Sequence, residues 1–259
     1  MLVKEVTQLI EEIAPLSLQE DYDNAGLITG DLNDEIKSVL LTTDITEEVV
    51  DEAIEDNHNL IISHHPLSIK PLKNLIQENY IKRSLVKAIK YDINIYSAHT
   101  NLDVVLNGVS GKMAEKLDLS NRRVLQPTLN PSVGFGVIGE LEEERDSYDF
   151  LAQLKEVFHC KMLRHTYVNK PRIKRVALCG GSGAFLTQAA INAGADIFIS
   201  GDFKYHDFFT AENKIIIADI GHYESEQFTK EIFYEIVTKK LSTFAVRFSK
   251  INTNPINYL

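Results

Sequence analysis

Short apolar runs recur along the chain in a fixed relation to helical patterns. Residues 38–63, SVLLTTDITEEVVDEAIEDNHNLIIS, align without gaps with residues 175–200, RVALCGGSGAFLTQAAINAGADIFIS, and six of the 26 positions are identical. In each copy an apolar strand is followed by a turn and by apolar positions at helical spacing: Val49, Val50, Ala53 and Ile54 in the first, Leu186, Ala189, Ala190 and Ile191 in the second. A second apolar strand closes each copy, so the pattern predicts a βαβ unit with parallel strands and a right-handed crossover, twice over. A further strand follows each copy, at residues 93–96 and 215–218. Elsewhere the spacing predicts a helix over 3–13, a glycine-rich strand over 133–141 and an amphipathic helix over 224–241 that carries Phe228, Ile232 and Ile236. Ser147 is placed to cap another helix, whose Phe150, Leu151, Leu154, Val157 and Phe158 form one apolar stripe read as core. The fold class expected is α/β with predominantly parallel sheets.

Composition narrows the function classes. At 259 residues, with 44% hydrophobic and 25% charged, the chain can hold one large or two medium domains with real cores. No segment approaches the roughly 20 apolar residues of a membrane span. Glu11 and Glu12 stand where a signal peptide would be apolar, so a soluble cytoplasmic protein is expected. Cys160 and Cys179 are too few for a disulfide framework and lie in apolar contexts, which reads as reduced core thiols and excludes a thiolate-rich zinc site. A net charge of −10 argues against non-specific nucleic-acid binding, which rests on lysine and arginine neutralising phosphates.

The chemistry gathers at strand ends. Ser63-His64-His65-Pro66 directly follows the apolar run Leu60-Ile61-Ile62, which puts two imidazoles where a buried strand runs out into a loop. In open parallel sheets that carboxyl edge is where ligands bind. The two later strands lead to His99-x-x-x-Asp103 and His222-x-x-x-Glu226, a histidine followed four residues later by a carboxylate, at matching places in the repeat. Imidazole and carboxylate without thiolate suit a transition-metal cation. Glu226, long and on a helix beside His222, is the choice for a bridging carboxylate, and metal-assisted hydrolysis follows as the reaction class. The turn Gly180-Gly181-Ser182-Gly183 lacks the Lys-Ser/Thr of a P-loop and reads first as a tight βα turn, second as an anion cradle. His206 reads either as a structural histidine or as a proton shuttle. Ser182 lacks the frame of an activated nucleophile, and His58, His159 and His165 have no motif around them.

Taken in order, Asp23-Asn24-x-Gly26-Leu27, Asp44, Ile62-Ser63-His64-His65-Pro66-Leu67, Ala98-His99-Thr100-Asn101-Leu102-Asp103, Gly180-Gly181-Ser182-Gly183 and Gly221-His222-x-x-x-Glu226 resemble the GTP cyclohydrolase 1 type 2 homologue family over nearly the whole chain. The resemblance implies two intertwined α/β repeats acting as one functional unit, set here at 1–120 and 121–259, and a ring-shaped homohexamer. Longer relatives insert a domain between the repeats, for which residues 112–174 leave little room. It also implies a dinuclear centre of two divalent cations per subunit, zinc, iron or manganese, with His64, His65, Asp103, His222 and Glu226 as ligands. His99 stands beside them as the catalytic proton-transfer group. The activity implied is attack of metal-activated water on a nucleotide ring. Independently of the resemblance, Lys70 and Lys73 are placed, just past the histidine pair, to face a substrate phosphate. A dinuclear hydrolase of a phosphoester or cyclic amide, and a non-catalytic metal-binding ring for storage, delivery or scaffolding, remain the alternatives.

Overall fold

Each copy of the repeat builds the centre of its own sheet. The structure, a computed structural model, describes residues 1–240 and 245–259. Its contacts divide the chain into a first unit, Met1–Leu102 with Thr229–Pro255, and a second, Asp103–Phe228 with Ile256–Leu259.

In the first unit β2 (Val39–Thr42), β3 (Leu60–Ser63) and β4 (Asn94–Ser97) run parallel. The antiparallel β1 (Gly26–Thr29) and the parallel β11 (Val246–Phe248) flank them in the order β1-β4-β3-β2-β11. Every residue of β2, β3 and β4 is buried, which is why these strands read as continuous apolar runs rather than alternating ones. Leu40, Ile61 and Ile95 pack with Val49, Val50 and Ala53 of α2 (Glu47–Glu55) and Ala88 of α3 (Tyr80–Lys90). Residues of alternate parity project to the opposite face. There the Tyr96 hydroxyl donates to Glu11 Oε1 at 3.1 Å, at the end of α1 (Val3–Glu11). The last helix of this unit, α9 (Thr229–Lys240), lies against α1. Thr46 caps α2 by accepting the Val49 N–H at 3.3 Å. Arg83–Glu47 and Lys87–Asp51 ion pairs join α3 to α2 at 2.8 and 2.6 Å. Such partly exposed pairs contribute about 0–1 kcal/mol each, whereas each fully buried Leu or Ile beneath them contributes about 1.5–3 kcal/mol; the apolar layer therefore holds the helices on.

The second unit repeats the plan. Strands β8 (Arg172–Ser182), β9 (Ile197–Gly201) and β10 (Ile216–Asp219) are parallel. Val176 stands opposite Ile197, just as Val39 stands opposite Leu60. Antiparallel strands extend the sheet at its flanks: β5 (Ser120–Pro127), β6 (Gly134–Asp146) and the two-residue β7 (Arg164–His165), in the order β5-β6-β8-β9-β10-β7. One face packs Val176, Leu178, Ile197 and Ile199 under α5 (Val109–Lys116) and α6 (Ser147–Val157). The other packs Ala177, Phe198 and Ile217 under α7 (Thr187–Asn192) and the 3₁₀ turn Tyr205–Ala211.

The α/β repeat architecture is as the sequence predicts, with differences in detail. The first unit ends at Leu102 and regains the chain at Thr229, where the repeat alone suggests one division at 120/121. Asp146, not Ser147, caps α6 by accepting the N–H groups of Tyr148 and Asp149; Ser147 instead donates its hydroxyl to the Lys170 carbonyl at 2.5 Å. The helix expected over 224–241 is two helices, α8 (His222–Glu226) and α9. Between them Phe228 packs against Phe158 at a centroid distance of 6.0 Å, and the Gln227 amide donates to the Phe158 and Glu224 carbonyls. Leu241 lies outside the described residues.

Candidate functional site

In the first unit the carboxyl ends of β3 and β4 are tied to each other. Ser63 and Ser97 share a hydroxyl hydrogen bond of 2.7 Å, and Ser63 also donates to the His65 carbonyl at 2.8 Å. The chain leaving β3 thus presents both histidines at once. His64 is fully buried and His65 half-buried. His99 follows β4 and precedes the short helix α4 (Thr100–Asp103), and its own N–H donates to the Asn101 side chain at 2.9 Å. The ring centroids of His64 and His65 are 4.7 Å apart, and each lies 5.4 Å from that of His99. One nitrogen from each ring falls within 4.8 Å of the other two, a triangle that could hold a metal ion.

Each of these rings spends Nδ1 on an oxygen acceptor. His64 donates to the Ala98 carbonyl at 3.0 Å, His65 to Asp44 Oδ1 at 2.7 Å and His99 to Asp23 Oδ1 at 2.8 Å. Asp23 is itself crowded with donors, from the Thr100 N–H and hydroxyl and the Asn24 N–H. Burial would raise its carboxyl, but the hydrogen bonds from His99 and Thr100, with the charge of His99, outweigh burial and hold it well below the usual carboxylate range. Asp44 accepts in addition from the Thr253 hydroxyl at 2.6 Å.

The second unit places a matching pair at the ends of β9 and β10. His222 opens α8, and its Nε2 lies 3.1 Å from Glu226 Oε2, one helical turn on. Its Nδ1 donates to Asp202 Oδ2 at 2.7 Å, and the Ser182 hydroxyl donates to the same oxygen at 2.6 Å. Asp202 is held below its ordinary value: burial pushes it up, and the hydrogen bonds of Ser182 and His222 more than reverse that. Ser182 is therefore a donor to the carboxylate behind His222, with the acid rather than the imidazole next to the hydroxyl. That order differs from the serine–imidazole–acid relay of an activated serine.

The glycine-rich turn is explained by the same corner. Gly181 has φ +60°, and a Cβ there would lie 2.3 Å from Glu226 Oε1. The N–H groups of Gly180 and Gly181 donate to the Ser110 and Ser225 hydroxyls. They are spent on the protein, so the turn is a close approach of strand to helix and not an anion cradle. Cys179, beneath it, has its thiol pushed up to about 12 by burial and by the negative charges of Asp103 and Glu226. Both cysteines are free and buried, as expected.

The remaining histidines have ordinary surroundings. His58 pairs with the Ser38 hydroxyl at 2.8 Å in the core, and His165 with the Thr166 carbonyl at 2.7 Å. His206 sits on the 3₁₀ turn between the rings of Tyr205 and Phe209. Lys70 and Lys73 are exposed on the irregular segment that follows the histidine pair.

A family model described as Duf34/NIF3 (NGG1p interacting factor 3) matches residues 1–255. The chain belongs to the DUF34/NIF3 family. Curated proteins called GTP cyclohydrolase 1 type 2 homolog are its relatives: one from Clostridium acetobutylicum is 35% identical over 230 residues, covering 86% of this chain and 85% of that protein. Another, from Streptococcus pneumoniae, is 33% identical over the full length of both. Among solved structures, a hypothetical protein of Staphylococcus aureus superposes with a TM-score of 0.92 at 30% identity, covering 100% of this chain and 99% of the other. A Bacillus cereus protein related to NIF3 gives 0.90 at 26% identity with the same coverage. Among the described residues of this NIF3 chain, no helix is long and apolar enough to cross a membrane.

Motif spacing finds the histidines of this family member but not the acids behind them. Asp23, Asp44 and Asp202 come from three separate loops; the first two lie in the motifs that carry the family resemblance, and the internal repeat marks Asp202, which occupies the place in the second copy that His65 occupies in the first.

Proposed function

We propose that this NIF3-family protein binds two divalent cations through His64, His65, Asp103, His222 and Glu226 and acts as a metal-dependent hydrolase on a nitrogen heterocycle of the kind carried by a nucleotide. The observation that supports this best is the shared posture of four histidines, His64, His65, His99 and His222, each with Nδ1 committed to a carboxylate or carbonyl oxygen. An acceptor-only partner fixes the proton on Nδ1 and leaves the lone pair on Nε2, which is how ligand histidines are oriented and made more basic. Within α8 the 3.1 Å between His222 Nε2 and Glu226 Oε2 suits two ligands of one ion, since bonds of about 2.0–2.2 Å to a common cation leave donor atoms roughly 3 Å apart. Imidazole with carboxylate favours zinc, iron or manganese, and a thiol held near 12 at Cys179 stays protonated.

Bound divalent cations supply a water nucleophile at neutral pH and polarise the atom it attacks. The chain supplies the rest. His99, backed by an anionic Asp23, keeps Nε2 for moving a proton, and Lys70 and Lys73 are assigned to substrate phosphate. The relatives' name makes GTP the first substrate to incubate with the metal-loaded protein, with analysis of products.

Elemental analysis of purified Glu226→Ala tests the ligand set, against Glu143→Gln, which alters an exposed residue of β6. Metal content should fall by more than half in the first and stay at the wild-type level in the second. Equal content in the two overturns the assignment.

A further inference from the structure

A cavity of about 210 Å³ opens beside His222 within the second unit, and the last residues of the chain help to wall it. Met162, Ile256 and Tyr258 give it apolar and aromatic surfaces, and Arg164, Asp202 and Asp219 give it charge. Asp219 is fully spoken for: it accepts from Arg164, from the Phe203 N–H at 3.2 Å and from the Gly221 N–H at 3.0 Å. Arg164 uses only one nitrogen, Nη2, for Asp219 and the Phe203 carbonyl. Its guanidinium lies over the Phe208 ring at 5.3 Å, which holds the fork in place. Asp202 uses Oδ2 for both Ser182 and His222, so Oδ1 is left as an acceptor on a side chain that is 49% exposed. The Tyr258 phenol is raised above its ordinary value by burial and by the charges of Glu224 and Asp219, and so remains an O–H donor.

The cavity therefore offers donors and an acceptor side by side beneath apolar walls. Its two carboxylates outnumber its one guanidinium, which disfavours an anion. Its volume is below the roughly 300–1,000 Å³ of sites for larger ligands and suits one small ring system.

We propose that this pocket recognises the cyclic-amide edge of a small, uncharged, planar heterocycle, with Arg164 and Tyr258 donating to the ring carbonyl and Asp202 accepting the neighbouring N–H. The inference deepens the metal-hydrolase reading, since it places the ring against a proposed ligand, His222. Any phosphate on the substrate stays outside the pocket.

Hydantoin, a planar cyclic ureide, is the probe, titrated calorimetrically into the full-length protein before and after treatment with chelator. Hydantoin should bind in both states, and 1,3-dimethylhydantoin, which lacks the N–H, should not. Tyr258→Leu should weaken hydantoin about tenfold, the scale of one hydrogen bond with its ring contact, and Tyr258→Phe should fall between it and the wild type. Wild-type affinity in Tyr258→Leu, equal binding of the dimethylated analogue, or displacement of hydantoin by inorganic phosphate would each overturn the proposal. Metal content, measured on the same samples, should be unchanged by either substitution. If the wild type holds no metal, the reading of the metal centre fails while hydantoin binding to the chelator-treated protein still decides the pocket.

Discussion

Asp23, Asp44 and Asp202 do for three histidines what the Ala98 carbonyl does for His64: each holds an imidazole by Nδ1, which directs Nε2 away from that partner. The four are not equivalent in burial or support, and His99 has the most heavily hydrogen-bonded partner, an aspartate surrounded by four protein donors. That support is the ground for the proposed role of His99 in proton transfer. In His99→Ala most of the metal should be retained while hydrolysis is lost; complete metal loss, read by elemental analysis, would make His99 a ligand instead. Asp23→Asn replaces an acceptor of four hydrogen bonds by a group that can accept with one oxygen only. It should cost about 1–3 kcal/mol in denaturant unfolding at pH 7, the usual penalty for stranding buried donors. The sign with pH follows from the depressed carboxyl. Stability from Asp23 is fully present above its unfolded value of about 3.9 and is lost as pH falls through that value toward the folded one. The difference between wild type and Asp23→Asn should therefore shrink below about pH 4; a gap that stays constant down to pH 3 would mean that the Asp23 carboxyl titrates alike in the folded and unfolded chain, with no depression in the native state.

At the scale of elements, the corner where β8 meets α8 is tightly constrained. Gly181 and Gly194 both have positive φ, +60° and +71°, but a Cβ at Gly181 would meet the Glu226 carboxylate at 2.3 Å, while one at Gly194 would meet only the tip of Arg175 at 3.2 Å. Alanine at either position pays the strain of a left-handed backbone, about 1 kcal/mol. Only Gly181→Ala should also displace Glu226 and lower metal content. Equal metal content in the two variants would show that the glycine serves the turn alone. The elements themselves were largely legible: buried parallel strands announce themselves as runs such as Leu60-Ile61-Ile62, and the repeat fixes which strands match. Proline after His65 and the four-residue spacing of His222 and Glu226 mark the strand ends. What the pattern could not show is tertiary in origin. The apolar period runs through Gln227 and Phe228 without interruption, and the helix breaks there because Phe228 packs on Phe158 and Gln227 donates to backbone carbonyls. Asp23 and Asp44 stood out only through the family resemblance, and their pairing with the histidines was hidden for the same reason, since loops 19–25 and 43–46 have no period that would bring them to a ring.

For the whole molecule, the return of the chain to its first unit at Thr229 and to its second at Ile256 depends on contacts that no local pattern encodes. The proposed homohexamer is likewise a property that composition alone does not suggest, and composition bears on it only through charge. Each chain carries −10, so bringing six together concentrates like charge, and assembly must overcome a repulsion that salt screens over about 8 Å at 0.15 M ionic strength but over about 30 Å at 0.01 M. Light scattering at the higher ionic strength should give roughly six times the 29.3 kDa chain mass. Dilution into low salt should shift the population toward smaller species, and restoring salt should reverse the shift. This direction separates an assembly held by apolar and hydrogen-bonded contacts from one held by ion pairs, which salt would weaken. A clean monomer at micromolar concentration in both buffers removes the ring, and with it the reading of this protein as a metal-binding scaffold; the metal content of that monomer would then decide whether one chain holds its cations alone.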